Sequence, residues 1–193
     1  KDRIHELKFD IPISHNGIAI NSKDIANVFK KYPSEQFGLS YSKSLIDLNI
    51  LSKGFLTGSI DLVFSDNKNH LNSRWWIADW KSNWLGTQKD SLISCVPQHY
   101  KRKFMEEQMI IHHYPLQAHL YLVALHRFLY WRLPNYEPSR HLGGYIYFFL
   151  RGIPEMKNNF NIISSDSTPG IILEQAPVER ILEINNLIDV GGR

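Results

Sequence analysis

Two stretches constrain this chain more than any others: Gly54-Phe55-Leu56-Thr57-Gly58-Ser59-Ile60-Asp61-Leu62-Val63-Phe64 and Trp75-Trp76-Ile77-Ala78-Asp79-Trp80-Lys81-Ser82. Between Thr57 and Phe64, Ile60, Leu62 and Phe64 share one parity, while Thr57, Ser59 and Asp61 share the other. Successive side chains of a strand point to opposite faces, so this alternation predicts a half-buried β-strand. The second stretch is β-branched and aromatic, and the Asn- and Asp-rich Ser65 to Ser73 between them reads as a loop. The two stretches are therefore expected to form a β-hairpin.

Register decides whether the two arms build a site. A hairpin centred near His70 sets Asp61 opposite Asp79, and a slip of one residue sends one of them to the other face. Asp79 and Lys81 are two apart and share a face. Two unit charges that close repel by roughly 4 kcal/mol at an effective dielectric of about 20. Such a pair calls for a proton or a cation between its members. Carboxylate oxygens suit Mg²⁺, Mn²⁺ or Ca²⁺. Two carboxylates, a lysine and a divalent ion on one sheet face form a constellation for phosphodiester hydrolysis.

The remaining chain supplies further elements. Ile4 to Ile13 alternates loosely and ends near Pro12, which predicts a strand at a sheet edge. Asn21 to Tyr32 predicts a helix capped by Asn21 or Ser22, with Ile25, Val28 and Phe29 on one face and Pro33 as its stop. Residues 34 to 53 are mixed polar and read as a loop with turns. Tyr114 to Leu133 is the clearest helix, with Pro115 in its first turn and Pro134 at its end. Gln117 and Tyr121 lie four apart and share a face of it. Gly143 to Leu150 is apolar on both parities, which predicts a strand buried on both faces. Residues 152 to 170 read as a long surface excursion, Ile171 to Leu173 as a short edge strand, and Pro177 to Asp189 as a last helix with a charged outer side.

Several residues carry two readings. Trp84 is either a packing residue or a platform for a base of single-stranded nucleic acid. Lys101, Arg102 and Lys103, between Tyr100 and Phe104, form either a phosphate-tracking patch or a solvated helix face. Arg151 either faces phosphate or caps its strand. His112 and His113 are adjacent, so their side chains diverge, and nothing places them near Asp61.

Composition removes some classes. The chain has 193 residues, enough for a core, and a net charge of +3 that permits nucleic-acid binding without arguing for it. The single cysteine, Cys95, excludes a disulfide framework and any four-cysteine cluster within the chain, and fits a reducing cytoplasm. No apolar run approaches the roughly 20 residues that span a bilayer, so no membrane partner is expected. The chain starts at Lys1, inside a predicted strand, and ends Gly191-Gly192-Arg193. It reads as a single domain, residues 1–193, cut from a longer protein.

The motifs resemble a known family. Gly58-x-x-Asp61, Asp79-Trp80-Lys81-Ser82 and Gln117-x-x-x-Tyr121 are similar to the three late motifs of the RecB-type branch of the PD-(D/E)xK nucleases. The longer strings from Gly58 to Phe64, Asp79 to Gly86 and Gly143 to Gly152 resemble the C-terminal nuclease domains of RecBCD-type helicase–nucleases (exodeoxyribonuclease V). Lys8 to Ser14 does so too, and the likeness runs from about Glu6 to Arg151.

The resemblance implies an α/β fold, a mixed central β-sheet flanked by helices with a restriction-endonuclease-like core. It implies a Mg²⁺-dependent exodeoxyribonuclease in bacterial, cytoplasmic double-strand-break repair and recombination. Its partners would be DNA, the other subunits of a RecBCD-type complex and an upstream helicase region. Asp61, Asp79 and the backbone carbonyl of Trp80 are the implied metal ligands, with Mn²⁺ or Ca²⁺ as substitutes. Lys81, Gln117 and Tyr121 complete the implied catalytic set. Glu6 matches an acidic position that the family uses variably, so it is an accessory residue or a solvated strand charge. Trp84, Lys101, Arg102, Lys103 and Arg151 are the candidate DNA contacts. The family also has a metal-binding histidine on an upstream helix; His5 lies in a strand and does not match it. Truncation would then leave this piece weakly active. Two alternatives stay open: a stand-alone nuclease on branched or single-stranded DNA, and an inactive DNA-binding or docking module of the same fold.

Overall fold

The computed structural model describes residues 3–12, 14–15, 18–67, 73–89, 92–153 and 168–188. In chain order they form β1 (Arg3–Pro12), β2 (Ser14–His15), β3 (Ile18–Asn21), α1 (Ser22–Lys31), α2 (Ser40–Leu48), β4 (Leu51–Ser52), β5 (Phe55–Ser65) and β6 (Trp75–Lys81). Then follow β7 (Thr87–Lys89), β8 (Leu92–Ser94), α3 (Arg102–Ile111), α4 (Tyr114–Arg132), α5 (Pro138–His141), β9 (Leu142–Phe149), β10 (Ile171–Glu174) and α6 (Val178–Ile188). Five strands make the central sheet in the order β1-β5-β6-β9-β10. All its pairings are antiparallel except β6 with β9. This is the expected mixed α/β sheet, and α4 packs against β6 and β9 while α6 packs on α4 and α1.

The hairpin takes the register that unites its acids. Leu62 pairs with Ala78 and Val63 with Ile77, so the next position inward along both arms sets Asp61 across from Asp79. Residues 68–72 of the expected Ser65–Ser73 loop lie outside the described residues, as do most of the expected 152–170 excursion and the chain end beyond Ile188. On the other side of β5, His5 pairs with Leu62 and Leu7 with Ile60, which leaves Glu6 level with Asp61. β1 is an edge strand ending at Pro12, as its sequence predicts.

Several expectations need correction. Residues 34–53 are not a loop, because they contain α2. That helix starts at Leu39 with no side-chain cap, so the usual start signal is missing. Burial of Tyr41 and Leu45, one helical turn apart, forms it through packing on α1. In β5, Ile60 and Val63 are the fully buried residues, and they have opposite parities. Leu62 and Phe64 are only partly covered, so the burial changes face along the strand. β9 is deeply buried at Tyr145, Tyr147 and Phe149, whereas Ile146 and Phe148 are half-exposed, with Trp80 packed on Phe148 at 4.8 Å between ring centroids. Only one face of β9 therefore belongs to the core along its second half.

α1 forms where expected, and Asn21 caps it by accepting from the Lys23 amide at 2.6 Å. α4 begins with Pro115 in its first turn. A buried polar cluster joins it to α6. Arg180 of α6 donates to the Tyr32 carbonyl at 2.8 Å and to Glu174 Oε1 at 3.2 Å, and its Nη1 lies 3.0 Å from His119 Nε2. His119 Nδ1 lies 2.6 Å from the Pro115 carbonyl, so the network selects the tautomer with the proton on Nδ1. Tyr145 donates to Glu174 Oε2 at 2.6 Å, and the Arg180 guanidinium lies 5.1 Å from the centre of the Phe29 ring. Burial pushes the Glu174 carboxyl up, but Arg180, His119 and its hydrogen bonds outweigh that and hold it below the usual range. α6 was expected to carry its charges outward, yet Arg180 is fully buried.

Burial, and then the Arg180 charge, lower the His119 pKa to about 4. The folded state thus holds fewer protons than the unfolded chain between about pH 6.5 and 4. Stability is lost as pH falls through that window, by on the order of 2 kcal/mol between pH 6.5 and 5 from His119 alone. His113 and His126 are lowered by burial too and act in the same direction. Denaturant melts at pH 7 and pH 5 check this. His119→Gln is expected to flatten the slope, and an unchanged slope would remove His119 as its source.

Candidate active site

The site is built where β6 runs through the middle of the sheet and α4 crosses it. Asp79 is 4% exposed. Burial, with the neighbouring Asp61 charge adding to it, raises the Asp79 pKa above the usual carboxylate value, against an opposing pull from Lys81. Asp61 Oδ2 accepts a hydrogen bond from the Trp80 amide at 3.2 Å, which ties it to the strand that carries Asp79. Asp61, Asp79 and the Trp80 backbone are thus adjacent.

Lys81 has the most determined position of all. Its Nζ lies 2.7 Å from Asp79 Oδ2 and donates to Gln117 Oε1 at 2.9 Å. It also sits 4.1 Å from the centre of the Tyr114 ring and 5.0 Å from that of Tyr147. Aromatic faces attract an ammonium, most strongly when it is desolvated. The amide of Gln117 is oriented by several groups at once. Its Oε1 accepts from Lys81 and from the Tyr147 hydroxyl at 3.0 Å, and its Nε2 donates to the Tyr121 hydroxyl at 2.9 Å. The sequence expectation that Gln117 and Tyr121 share a face is met, and that face is turned to β6. Burial, then Asp79 and Asp61, raise the Tyr121 pKa, so its hydroxyl keeps its proton.

Three supporting residues were not singled out from the sequence. Tyr114 and Tyr147 stack at 5.6 Å and 13°, and Tyr114 donates to Asn83 Oδ1 at 3.1 Å. Tyr114 precedes Gln117 by three positions, so helix periodicity already put it on the same face. Tyr147 is the parallel-strand partner of Asp79. No local signal reveals that, because the two strands are far apart in sequence. With its ring face held against the ammonium, Tyr114→Leu is expected to lower turnover about 10-fold, while Tyr114→Phe keeps most of it. Equal losses in both variants would show that the hydroxyl, not the ring, is what counts.

The other candidates lie around this centre. Glu6 is exposed on the edge strand at φ 52°, level with Asp61. The Ser82–Gly86 segment leaves the sheet and is held by the Tyr100 hydroxyl, which donates to the Asn83 carbonyl at 2.7 Å and accepts from the Leu85 amide at 3.2 Å. Arg151 donates to the Ser82 carbonyl at 3.1 Å, so it ties this segment to the end of β9. Trp84 on the same segment is 47% exposed. Of the basic cluster, Arg102 pairs with Glu106 at 2.6 Å, and Lys101 and Lys103 are exposed. His112 stacks on Tyr114 and His126 bonds the Tyr136 hydroxyl, so neither belongs to the carboxylate pair.

Two carboxylates and a backbone carbonyl offer oxygen donors only, the chemistry of a hard divalent cation. No group of three or more His, Cys, Asp or Glu that could hold a metal occurs among the described residues. None of their helices is long and apolar enough to cross a membrane.

No family model matches the chain. Among the proteins it is similar to are several described as RecBCD enzyme subunit RecB. The one from Mycolicibacterium smegmatis is 32% identical over 98% of this chain and 17% of its own length. That from Mycobacterium tuberculosis H37Rv is 33% identical over 99% and 17%, and that from Escherichia coli K12 is 32% identical over 86% and 12%. The chain therefore spans less than a fifth of the curated relatives it matches.

Proposed function

Because this chain is a relative of the RecB subunits along nearly all of its own length, we propose that it is the nuclease domain of a RecBCD-type repair and recombination exonuclease. Its substrate is linear DNA, and its partners are the other subunits of such a complex and a helicase region of the same protein. It works in the bacterial cytoplasm. The observation that carries this reading is the Lys81 ammonium fixed between Asp79 and Gln117 beside a second carboxylate.

Asp61, Asp79 and the Trp80 carbonyl would hold Mg²⁺. The fit is supported by the donor set, two carboxylates and a backbone carbonyl, and by burial with the Asp61 charge, which raise the Asp79 pKa even against Lys81. When bound, the ion supplies charge neutralisation and a bound water of lowered pKa. Lys81 orients the attacking water and offsets charge growing on the phosphate. Gln117 keeps the ammonium aimed, and Tyr121 keeps Gln117 from turning. Glu6 is accessory, on the neighbouring strand. Trp84, Lys101 and Lys103 would meet the DNA strand, a reading supported by their exposure, while Arg102 is paired with Glu106. Arg151 acts through Ser82, by fixing the segment that bears Trp84.

The test is release of acid-soluble nucleotide from linear duplex and single-stranded DNA, with Mg²⁺ and with chelator. Mg²⁺-dependent release lost in Asp79→Ala supports the reading. Release that survives the substitution, or none from the full-length protein, overturns it.

A further inference from the structure

We propose that a cavity beside the carboxylates is a nucleobase subsite that holds the base of a nucleotide neighbouring the scissile phosphate. This rests on the nuclease reading of the same site. The cavity is about 310 Å³ and is bordered by Phe9, Thr57, Gly58, His113, Leu120 and Tyr121, together with Gln117. It is continuous with the site, because Gln117 and Tyr121 belong to both.

Its position suits a neighbouring base. Thr57 and Gly58 precede Asp61 on β5 by four and three residues, which is about 10–13 Å along a strand. A phosphodiester backbone bridges that span between a phosphate and an adjacent base. Its chemistry suits a base better than a phosphate or a sugar. No lysine or arginine borders it. Two aromatic rings do, Phe9 and Tyr121, set edge to face at 5.7 Å and 70°. Gly58 gives Phe9 its place, since a Cβ there would come within 2.6 Å of the ring.

One wall residue, His113, joins α3 to α4 and packs its ring against Tyr41 at 6.1 Å between centroids. Its φ of 52° makes the turn between those helices, where its carbonyl accepts from the Leu116 and Gln117 amides. Its Nδ1 is enclosed and has no hydrogen-bond partner among the described residues. Burial, then His112, lower the imidazole's pKa, which favours the neutral ring with one donor and one acceptor nitrogen. A base edge offers both kinds of partner.

The experiment scans a single-stranded oligonucleotide with one abasic residue at each position in turn. Binding is read in Ca²⁺ and cleavage in Mg²⁺, for the full-length protein and for Thr57→Trp, which fills the cavity from an exposed strand position. Loss of one base is expected to weaken binding about 5- to 150-fold at one position only, with a smaller or no difference in Thr57→Trp. If every abasic oligonucleotide binds and is cleaved like the intact one, the subsite is refuted while the nuclease reading stands. A position effect that persists unchanged in Thr57→Trp also refutes it, because the base is then held elsewhere. Base-dependent binding without cleavage supports the subsite and sinks the nuclease reading. Absence of binding sinks both.

Discussion

Asp79→Ala is expected to lower Mg²⁺-dependent cleavage of linear DNA by about 10³-fold or more, with the fold retained. The size follows from what the residue does at once. It is a buried carboxylate facing Asp61, and it is the ion-pair partner of Lys81 at 2.7 Å. Its removal takes away an oxygen donor for the cation and frees the ammonium. Removing one preorganised electrostatic group from a site commonly costs 10²–10³ in rate, and loss of a metal ligand adds to that. Stability should change little. The carboxylate is already penalised by burial and by Asp61, so its loss offsets part of what Lys81 loses. A melting temperature within about 4 °C of wild type corresponds to roughly 1 kcal/mol for a chain of this size. Lys81→Met, which keeps the apolar stem, should cost about 10²–10³-fold by the same electrostatic argument. The raised pKa of Asp79 also has a consequence for activity. Protons and cation compete for the carboxylate, so more Mg²⁺ should move the acidic limb of the rate profile to lower pH. An acidic limb indifferent to Mg²⁺ would detach Asp79 from metal binding.

Arg180→Ala is expected to be the most destabilising single change away from the site, at about 3–5 kcal/mol, or a fall of roughly 6–20 °C in melting temperature. Arg180 and Glu174 are both buried, and the truncation leaves Glu174 as an uncompensated charge in the core. It also removes the donor to the Tyr32 carbonyl and the neighbour of His119 Nε2. Glu174→Gln in the same chain should recover part of the loss, because the unpaired charge disappears while a partner for the Tyr145 hydroxyl remains. Chemical denaturation of the two single variants and the double one measures the coupling. Strict additivity would mean that the two residues are stabilised independently. Activity should fall only as far as folding does, unless the cluster also sets the rotation of α4. His119 stands between Gln117 and Tyr121 on that helix, so a conservative Arg180→Lys that folds but turns over slowly would reveal such a link.

Much of the site was legible because its logic is local. Asp61 and Asp79 could be set opposite each other from the hairpin alone, since a strand has a period of two and a short loop fixes its centre. Gln117 and Tyr121 were read as neighbours from the helix period. Asn21 as a cap and Pro115 in a first turn marked where α1 and α4 begin, and each acts within one turn of chain. α2 was missed because its stability comes from Tyr41 and Leu45 packing on α1, not from a cap or from propensity. Arg180 carries no local sign of burial, because a charged residue on a helix is usually solvated and its partners lie on other elements of the chain.

The order of residues by itself determined the strands of the central sheet and helices α1, α4 and α6, the pairing of the hairpin, and the presence of two acids and a lysine on neighbouring positions. Short-range sterics and periodicity are enough for that. Only the assembled fold decided that Gln117 reaches Lys81, that Tyr147 comes beside Asp79 across a parallel pairing, and that Arg180 finds its partners in the core. Those contacts join segments that local rules treat as independent. Burying one sheet face against α4, with α6 packed on α4 in turn, is what brings them together.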